Sequence, residues 1–367
     1  MKKTLFTLAA AAMSVVAAQA TVEITITGAT AFRGDAYNAI RAMFDGGVPA
    51  SQNPAHSASG QNKVTFSGLM TPLFGAETVI VRTSYSGSAD GVKAVDGTET
   101  RNFLFSSTAG APLTTNMICD FAFSDVFQSS TDFQTQALEE AEVVPGKSGI
   151  AVIPFVWTKG NSCSSKVTNI TGQVARAMTG IGFVPLFMLT GDPADLVSTE
   201  IVNLVGRDNG SGTRICTLAE ISLGILPNIA QRRAIAGNWT DDATGLSSGS
   251  IVATNLNGTA TSLDGPGGAV SYLAPNDSAT TVTGGGKALT YDGVVYSKDN
   301  VRNGKYTLWG FEHLYNAPGM TGSGSKEETF RTAFALAIDA IIPSLNNAIA
   351  IGTMNVTRLA DGAVVTP

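Results

Sequence analysis

Hydrophobic and polar residues alternate in the stretch that follows residue 20, and the pattern then changes to a helical period. Residues 22–27, Val-Glu-Ile-Thr-Ile-Thr, alternate apolar and polar positions and are rich in β-branched side chains, which predicts a strand. Gly28 to Ala31 interrupt this alternation, and between Phe32 and Phe44 the apolar residues recur at helical spacing. The pattern therefore predicts a strand, a tight turn and a helix in succession.

The same succession of strand, Gly/Ser-rich turn and helix recurs twice. A strand predicted at 79–84 leads through the turn at 85–91 into a short helix. A strand predicted at 201–205 leads through the turn at 206–213 into a helix whose apolar face extends to Ile225. Strands that alternate with helices predict the α/β class, in which ligands bind at the carboxyl ends of the strands.

Three further segments complete the predicted organisation. Residues 149–158 are almost continuously apolar, which predicts one strand buried on both faces. Residues 241–286 are rich in Gly, Ser, Thr and Asn, which predicts loops and hairpins in an irregular insertion or, as the alternative, a linker between independent domains. A long amphipathic helix is predicted from about residue 326, and Pro343 should kink or end it.

Length and composition limit the architecture and the partners. The chain has 367 residues, whereas a single core usually stops growing at about 250–300 residues, so two lobes are expected. A formal net charge of −6 without any basic run argues against nucleic acid as a partner. Two His and three scattered Cys leave little material for a zinc site or a His-dependent catalytic centre, so neither a metal nor a cofactor is expected.

The first twenty residues have the three parts of a secretory signal peptide. A basic start is followed by an apolar run from Leu5 to Val16 and by a small-residue cleavage site at Ala18 to Ala20. A transmembrane helix, the alternative, needs about 20 apolar residues, and this run is shorter. We therefore expect a protein exported to the periplasm, with an extracellular or cell-surface location as the alternative.

An oxidising compartment would permit one disulfide among the three cysteines. Cys163 and Cys216 fall in the same predicted lobe and are the favoured pair, which leaves Cys119 free. The alternative is three buried cysteines that act as small hydrophobic residues.

Glycine occurs together with Ser or Thr at four junctions between predicted strands and helices. The first turn of a helix offers unpaired N–H groups and the positive end of a dipole, and Gly lets an anion approach the backbone closely. The turn at 206–213 also contains Arg207, whose guanidinium can donate two hydrogen bonds to one oxyanion. A single turn of this kind is usually an ordinary N-cap. Four in one chain indicate an oxyanion site.

Four motifs, in this order, resemble the periplasmic phosphate-binding proteins of ABC transporters. They are Gly28-Ala29-Thr30-Ala31-Phe32, Tyr85-Ser86-Gly87-Ser88-Ala89-Asp90-Gly91-Val92-Lys93, Asp120-Phe121-Ala122-Phe123-Ser124-Asp125 and Arg207-Asp208-Asn209-Gly210-Ser211-Gly212-Thr213. The resemblance extends thinly over most of the chain after residue 20. It implies a two-lobed type II periplasmic-binding-protein fold, in which each lobe is a mixed sheet flanked by helices and two hinge crossings join the lobes. Lobe 1 would comprise 21–154 and 305–367, and lobe 2 would comprise 155–304.

The resemblance also implies the ligand-binding residues. This set is Thr30, Ala31, Phe32, Ser88, Asp125, Arg207, Ser211, Gly212 and Thr213. Arg207 would be the charged clamp, and Ser211 to Thr213 would form a cradle at the start of a helix. Asp125 would accept a hydrogen bond from a protonated phosphate and would reject fully ionised sulfate, which has no proton to donate. The alternative for Asp125 is a surface or helix-capping carboxylate.

The chain departs from the family pattern at four places. The first turn is one residue shorter, so Thr30 and Ala31 compete for the hydroxyl position. The acid of the last motif stands at Asp208 instead of at the next position. Two segments, 46–76 and 96–118, are enlarged.

The implied function is capture of inorganic phosphate, or of a relative such as arsenate, for delivery to the permease of an ABC transporter. We expect a monomer that is not an enzyme. Residues 245–249, Gly-Leu-Ser-Ser-Gly, fit the nucleophile pattern of hydrolases, but no strand is predicted before them and no amphipathic helix after them. His56 and His313 are expected to be ordinary surface or packed residues. The alternative function is an envelope or extracellular interaction protein that keeps the fold without binding anions.

Overall fold

The computed structural model describes residues 20–55, 62–258, 267–320, 322 and 324–367. Apart from residue 20, the predicted signal peptide lies outside these residues, as does His56. Across the described ranges, none of the helices has the length and apolar character needed to cross a membrane.

Strands and helices alternate through most of the described chain. The strands are β1 Thr21–Gly28, β2 Ser51–Ala55, β3 Lys63–Leu69, β4 Thr78–Tyr85, β5 Thr100–Leu104, β6 Thr114–Ile118, β7 Phe121–Ser124, β8 Glu139–Glu140, β9 Ala151–Pro154, β10 Val156–Lys159, β11 Asn169–Ile170, β12 Phe183–Pro185, β13 Ile201–Leu204, β14 Arg232–Ile235, β15 Asn238–Asp241, β16 Ala269–Leu273, β17 Lys287–Ala288, β18 Thr290–Tyr291 and β19 Trp309–Asn316. The helices are α1 Arg33–Met43, α2 Thr71–Phe74, α3 Ser88–Ala94, α4 Gly172–Ile181, α5 Phe187–Thr190, α6 Gly212–Glu220, α7 Gly249–Leu256, α8 Pro275–Thr283, α9 Lys298–Arg302 and α10 Lys326–Ile341.

The first large sheet is built from strands at the two ends of the chain. Its order is β2-β3-β4-β1-β7-β19-β8, and β9 also pairs with β19. β1 is parallel to both β4 and β7, whereas β19 runs antiparallel to β7. Apolar residues of this sheet pack against α1 and α10 in one hydrophobic cluster. The predicted strands at 22–27 and 79–84 and the predicted helix from residue 326 are confirmed.

The second large sheet is built from the middle of the chain. Its order is β12-β13-β16-β10-β17, with β13 parallel to β16 and the other pairs antiparallel. A second hydrophobic cluster joins this sheet to residues of α4 and α6. Two mixed sheets with flanking helices confirm the predicted α/β class.

The chain passes between the two sheets at Phe155. The prediction of one strand over 149–158 is wrong, because β9 pairs with β19 of the first sheet while β10 pairs with β16 of the second. The return crossing lies beside it, since the Phe155 N–H donates to the carbonyl oxygen of Leu308 at 3.0 Å. Both strands are fully buried, so the hydrophobic pattern showed no break between them.

The stretch 241–286 is not a loop insertion, and that prediction is wrong. It contains α7, α8 and β16, and β16 lies in the centre of the second sheet. Small residues allow this close packing: a Cβ on Gly268 would lie 2.2 Å from the Cα of Cys163. A low content of large apolar residues therefore marked tight packing here and not an absence of regular structure.

The helix α6 is shorter than predicted. It ends at Glu220, and Ser222 has a left-handed φ of 62°, so Ile225 lies outside the helix. Pro343 stands in a short 3-10 helix directly after α10, as expected for a residue that cannot continue the α-helix.

The two enlarged segments add hairpins to the first sheet. The segment 46–76 contains β2 and β3, which extend the sheet beyond β4. The segment 96–118 contains the β5–β6 hairpin, which is tied to that sheet by the Thr65 hydroxyl donating to the Leu104 carbonyl at 2.6 Å.

All three cysteines are buried and free, so the predicted Cys163–Cys216 disulfide is wrong. The Cys216 thiol instead donates to the carbonyl oxygen of Asp125 at 3.2 Å. Burial raises the pKa of the Cys163 thiol to about 12, which keeps it protonated. The cysteines therefore pack as small apolar residues, which was the alternative.

Candidate functional site

Three of the four motifs meet at one edge of the first sheet. β1, β4 and β7 are parallel neighbours, so their carboxyl ends lie together. Thr30 follows β1, Ser88 follows β4 and Asp125 follows β7. The turn of the fourth motif, from Arg207 to the start of α6, lies against the same edge, as the contacts below show.

Glycine at the end of β1 lets the first turn approach β7 closely. Gly28 has a φ of +106°, and a Cβ there would lie 2.0 Å from the carbonyl oxygen of Phe123 on β7. Its own carbonyl accepts the N–H of Gly87 at 2.9 Å. The sequence requirement for glycine at this position is therefore steric.

The start of α6 rests on the start of α3. The Gly210 carbonyl accepts the N–H of Ala89 at 3.0 Å, and a Cβ on Gly212 would lie 2.4 Å from the Ser88 hydroxyl oxygen. The Ser211 hydroxyl accepts the N–H of Arg214 at 3.4 Å and caps the helix. The first turns of the two helices therefore lie against each other.

Arg207 is buried at 2% exposure and its guanidinium is held in place. Nε donates to the Leu246 carbonyl at 3.0 Å, and Nη2 donates to the Thr30 hydroxyl and the Ser247 carbonyl, both at 3.2 Å. Within the described ranges, none of the hydrogen bonds of Arg207 uses Nη1. The guanidinium is thus fixed while its Nη1 amino group is left for another partner.

The first turn brings Thr30, and not Ala31, to Arg207. The Thr30 side chain accepts from the guanidinium, whereas the Ala31 carbonyl accepts from the side-chain amide of Asn347 at 2.9 Å. Phe32 stands at the N-cap of α1, and its ring packs 5.0 Å from that of Phe123.

Asp125 is 2% exposed and is therefore not a surface carboxylate. Its N–H donates to the Ser88 hydroxyl oxygen at 3.1 Å, and Oδ2 accepts from the Thr213 hydroxyl at 3.4 Å. Oδ1 has no hydrogen-bond partner among the described residues. Burial raises the pKa of Asp125, and the positive charge of Arg207 and the Thr213 hydroxyl partly offset that rise.

The structure thus brings together six of the residues that the resemblance implied, with Ala31, Phe32 and Ser211 as their chain neighbours; the six are Thr30, Ser88, Asp125, Arg207, Gly212 and Thr213. It also adds charged residues that the motifs did not include. Arg33, the first residue of α1, donates from Nη1 to the Thr30 carbonyl at 2.6 Å, and its Nη2 lies 3.7 Å from Oδ1 of Asp277 on α8. Burial lowers the pKa of Arg33. Its position directly after the first turn was the one signal for it in the sequence.

Glu312 on β19 is also buried beside the site, at 0% exposure. Neither of its carboxyl oxygens has a hydrogen-bond partner among the described residues. Burial, together with the neighbouring Asp125, raises the pKa of Glu312 well above its usual value. An acid inside a strand rich in aromatic residues was the signal that could have found this residue.

The hydrolase pattern at 245–249 does not acquire a catalytic environment. A helix does follow it, because α7 begins at Gly249, so the expectation of no amphipathic helix is wrong. Ser247 is exposed, and the neighbouring Ser248 caps that helix. His313 is packed inside the first sheet as expected, with Nδ1 2.7 Å from the Glu140 carboxylate. In the described part of the chain, no group of three or more His, Cys, Asp or Glu could hold a metal ion.

This arrangement can hold a small anion in a desolvated place. It combines a fixed guanidinium, hydroxyl groups and the N-termini of two helices, all of which favour negative charge. The buried carboxyl of Asp125 adds one acceptor, Oδ1, to these donors.

No protein-family model and no curated protein matches the sequence. Among solved structures, the chain is similar to a protein of Clostridium perfringens named as a phosphate ABC transporter substrate-binding protein and solved with bound phosphate. The two share 14% identity over 90% of this chain and 99% of that chain, with a TM-score of 0.53. An ABC-type phosphate transport receptor from Vibrio cholerae aligns over 88% of this chain and 98% of that chain, at 14% identity and a TM-score of 0.44. With the first of these structures the chain shares the two-lobed α/β fold of an ABC transporter substrate-binding protein.

Proposed function

We propose that this chain is an exported solute-binding protein that captures phosphate, or a related oxyanion, and delivers it to the permease of an ABC transporter. One observation carries the proposal: the buried guanidinium of Arg207 and the starts of α3 and α6 converge on the buried carboxyl of Asp125. The Clostridium perfringens protein of the same fold was solved with phosphate bound.

The proposed ligand lies between two lobes. Lobe 1 comprises 21–154 with 305–367 and lobe 2 comprises 155–304, and the adjacent crossings at Phe155 and Leu308 serve as the hinge. Closure would bury the anion. Burying a charge is costly, so the fixed N–H, hydroxyl and guanidinium donors must replace its hydration shell.

The ligand-binding residues of this proposal are those that the motifs supplied. Thr30, Ala31 and Phe32 line the first turn, Ser88 lines the second, and Ser211, Gly212 and Thr213 start α6. Arg207 supplies the charge, and Asp125 accepts a proton-bearing oxygen of the ligand.

Calorimetry on the purified chain with phosphate, arsenate, sulfate and molybdate tests the proposal. We expect phosphate to bind and Arg207→Ala to abolish binding, because a buried oxyanion then loses the unshared Nη1 amino group of the guanidinium. Arg41→Ala, on α1 and bonded to Tyr37 instead of to the site, is the matched control and should bind as wild type. Light scattering on the same sample should report a monomer.

Replacement of Asp125 tests the discrimination step. Asp125→Asn keeps the shape but offers an amide in place of an acceptor-only carboxylate. The preference for phosphate over sulfate should shrink. An unchanged preference would show that Asp125 does not select the ligand.

The second candidate function, an interaction protein without anion binding, is favoured by one observation. The β5–β6 hairpin segment exposes Phe105, Leu113 and Ile118. Absence of any thermal shift with all four oxyanions, together with wild-type stability of Arg207→Ala, would support this candidate over phosphate capture.

A further inference from the structure

Two carboxyl groups lie side by side behind the oxyanion site. Glu312 is fully buried on β19, and its carboxyl is within hydrogen-bonding reach of that of Asp125. Both oxygens of Glu312 and Oδ1 of Asp125 nevertheless have no hydrogen-bond partner in the described part of the chain. Ionised carboxylates only accept hydrogen bonds, so these atoms can be satisfied together only if one of the groups carries a proton.

The surroundings of the pair do not supply enough positive charge for two ionised carboxylates. The charged and titratable groups that face it are Asp35 of α1, Tyr85 at the end of β4, Tyr315 of β19, Cys216 of α6 and Arg207. Only Arg207 is cationic. Arg33, whose guanidinium donates to the Thr30 carbonyl, is already paired with Asp277.

We propose that Asp125 and Glu312 share one proton and present a single negative charge to the oxyanion site, which then takes a singly charged, hydroxyl-bearing oxyanion in preference to a doubly charged one. This inference rests on the proposed function. It assigns Glu312 as a positioning residue that acts through Asp125.

The charge balance of the site gives the reason for the preference. Arg207 offsets the pair and Asp277 offsets Arg33, so neither of these two arginines is left to balance a second ligand charge. Burial and the neighbouring Asp125 raise the pKa of Glu312 well above its usual value, which favours retention of the shared proton. When the pH rises through that pKa, the pair gains a second negative charge and repels the anion.

Phosphate affinity at pH 6 and at pH 8.5, measured by calorimetry for wild type and Glu312→Gln, tests this step. Phosphate loses its own proton equally in both experiments, so the difference between the two proteins isolates Glu312. The Gln amide donates permanently to Asp125, and we expect the wild type to lose about tenfold more affinity than the variant between the two pH values. Glu142→Gln, at an exposed position, is the control and should follow the wild type.

Unfolding by urea without ligand gives a second readout. A carboxyl whose pKa is raised by folding binds more protons in the native state, so its contribution to stability falls as the pH rises from its unfolded pKa through its folded pKa. Glu312→Gln and Asp125→Asn should each lose less stability than the wild type between pH 5 and pH 8.5. Having two variants keeps the test decisive if one of them fails to fold.

The outcomes separate this inference from the proposed function. One outcome is that no oxyanion binds the wild type while both variants lose less stability than the wild type as the pH rises. This result would disprove phosphate capture and would support the shared proton. If phosphate binds but its affinity falls in parallel in the wild type and in Glu312→Gln, the inference is overturned. Wild-type pH dependence of stability in both variants overturns it as well.

Discussion

At the scale of single residues, Thr213 offers a test of the site that leaves its shape unchanged. Its hydroxyl donates to Oδ2 of Asp125 inside the protein. Thr213→Val removes this hydrogen bond to a charged group, which is worth about 1.5–3 kcal/mol. We expect phosphate affinity to fall about tenfold or more in calorimetry.

The control for this prediction lies one turn further along α6. The Thr217 hydroxyl donates only to the Thr213 carbonyl at 2.8 Å, so Thr217→Val removes a buried hydroxyl without touching Asp125. Its phosphate affinity should remain that of the wild type. Equal losses in both variants would show that general damage to α6, and not the contact with Asp125, is responsible.

The raised pKa of Asp35 predicts that the free energy of unfolding depends on pH. Burial raises the pKa of Asp35 to about 6, although the Asn347 amide donates to its carboxylate at 2.9 Å. Since folding raises this pKa, the contribution of Asp35 to stability is greatest in acid and is lost as the pH rises from about 4 to about 6, by about 3 kcal/mol.

Urea unfolding between pH 4 and pH 7 measures this loss. Asp35→Asn should not show this loss, so its free energy of unfolding should increase relative to that of the wild type as the pH rises. Asp339→Asn, at a half-buried position on α10, should keep the wild-type profile. A constant difference between Asp35→Asn and the wild type across this range would contradict the prediction.

The residues of the site divide into those that the sequence could predict and those that it could not. The predictable residues include Arg207, Ser88 and Thr213. They belong to local turns that can be recognised from a few consecutive residues. Glu312 and Asp277 come from separate elements and reach the site only through the tertiary fold. The two residues of a carboxyl pair can lie far apart in the sequence, so no spacing along the chain predicts the pair.

At the scale of elements, the contact between the starts of α3 and α6 depends on Gly212. A Cβ there would lie 2.4 Å from the Ser88 hydroxyl oxygen and 2.8 Å from Cβ of Asp125. Gly212→Ala should therefore push α6 away from the site and weaken phosphate binding at least tenfold, although alanine is the better helix former.

Gly180, inside α4, is the matched control. No atom lies within 4 Å of a Cβ placed there. Gly180→Ala should raise the free energy of unfolding by about 0.5–1 kcal/mol and leave phosphate binding unchanged. Thermal denaturation and calorimetry on both variants separate helix propensity from the close approach.

The elements themselves were predictable where the hydrophobic pattern was clean. β1, β4 and β13 follow from alternation or from short apolar runs with turn residues after them. The passage at Phe155 was not predictable, because strands of two different sheets follow one another with every position buried. The buried β16 and its helices were missed because close packing there uses glycine and other small residues.

At the scale of the whole molecule, two adjacent crossings predict motion about one hinge. The Phe155–Leu308 hydrogen bond holds the crossings together, so the proposed lobes should move as rigid bodies. Saturating phosphate should reduce the radius of gyration in small-angle X-ray scattering. Arg207→Ala should show no change with phosphate, and a reduction in that variant would mean that closure does not depend on the ligand.

The immobilised guanidinium of Arg207 has a consequence for how the free energy of binding is divided. Ordering a long side chain when a ligand arrives costs about 0.5–1.5 kcal/mol. Arg207 is already ordered by Leu246, Ser247 and Thr30, so this entropy is lost when the chain folds. The penalty therefore falls on the stability of the folded protein, and the proposed anion would bind to a guanidinium whose rotamer is already fixed.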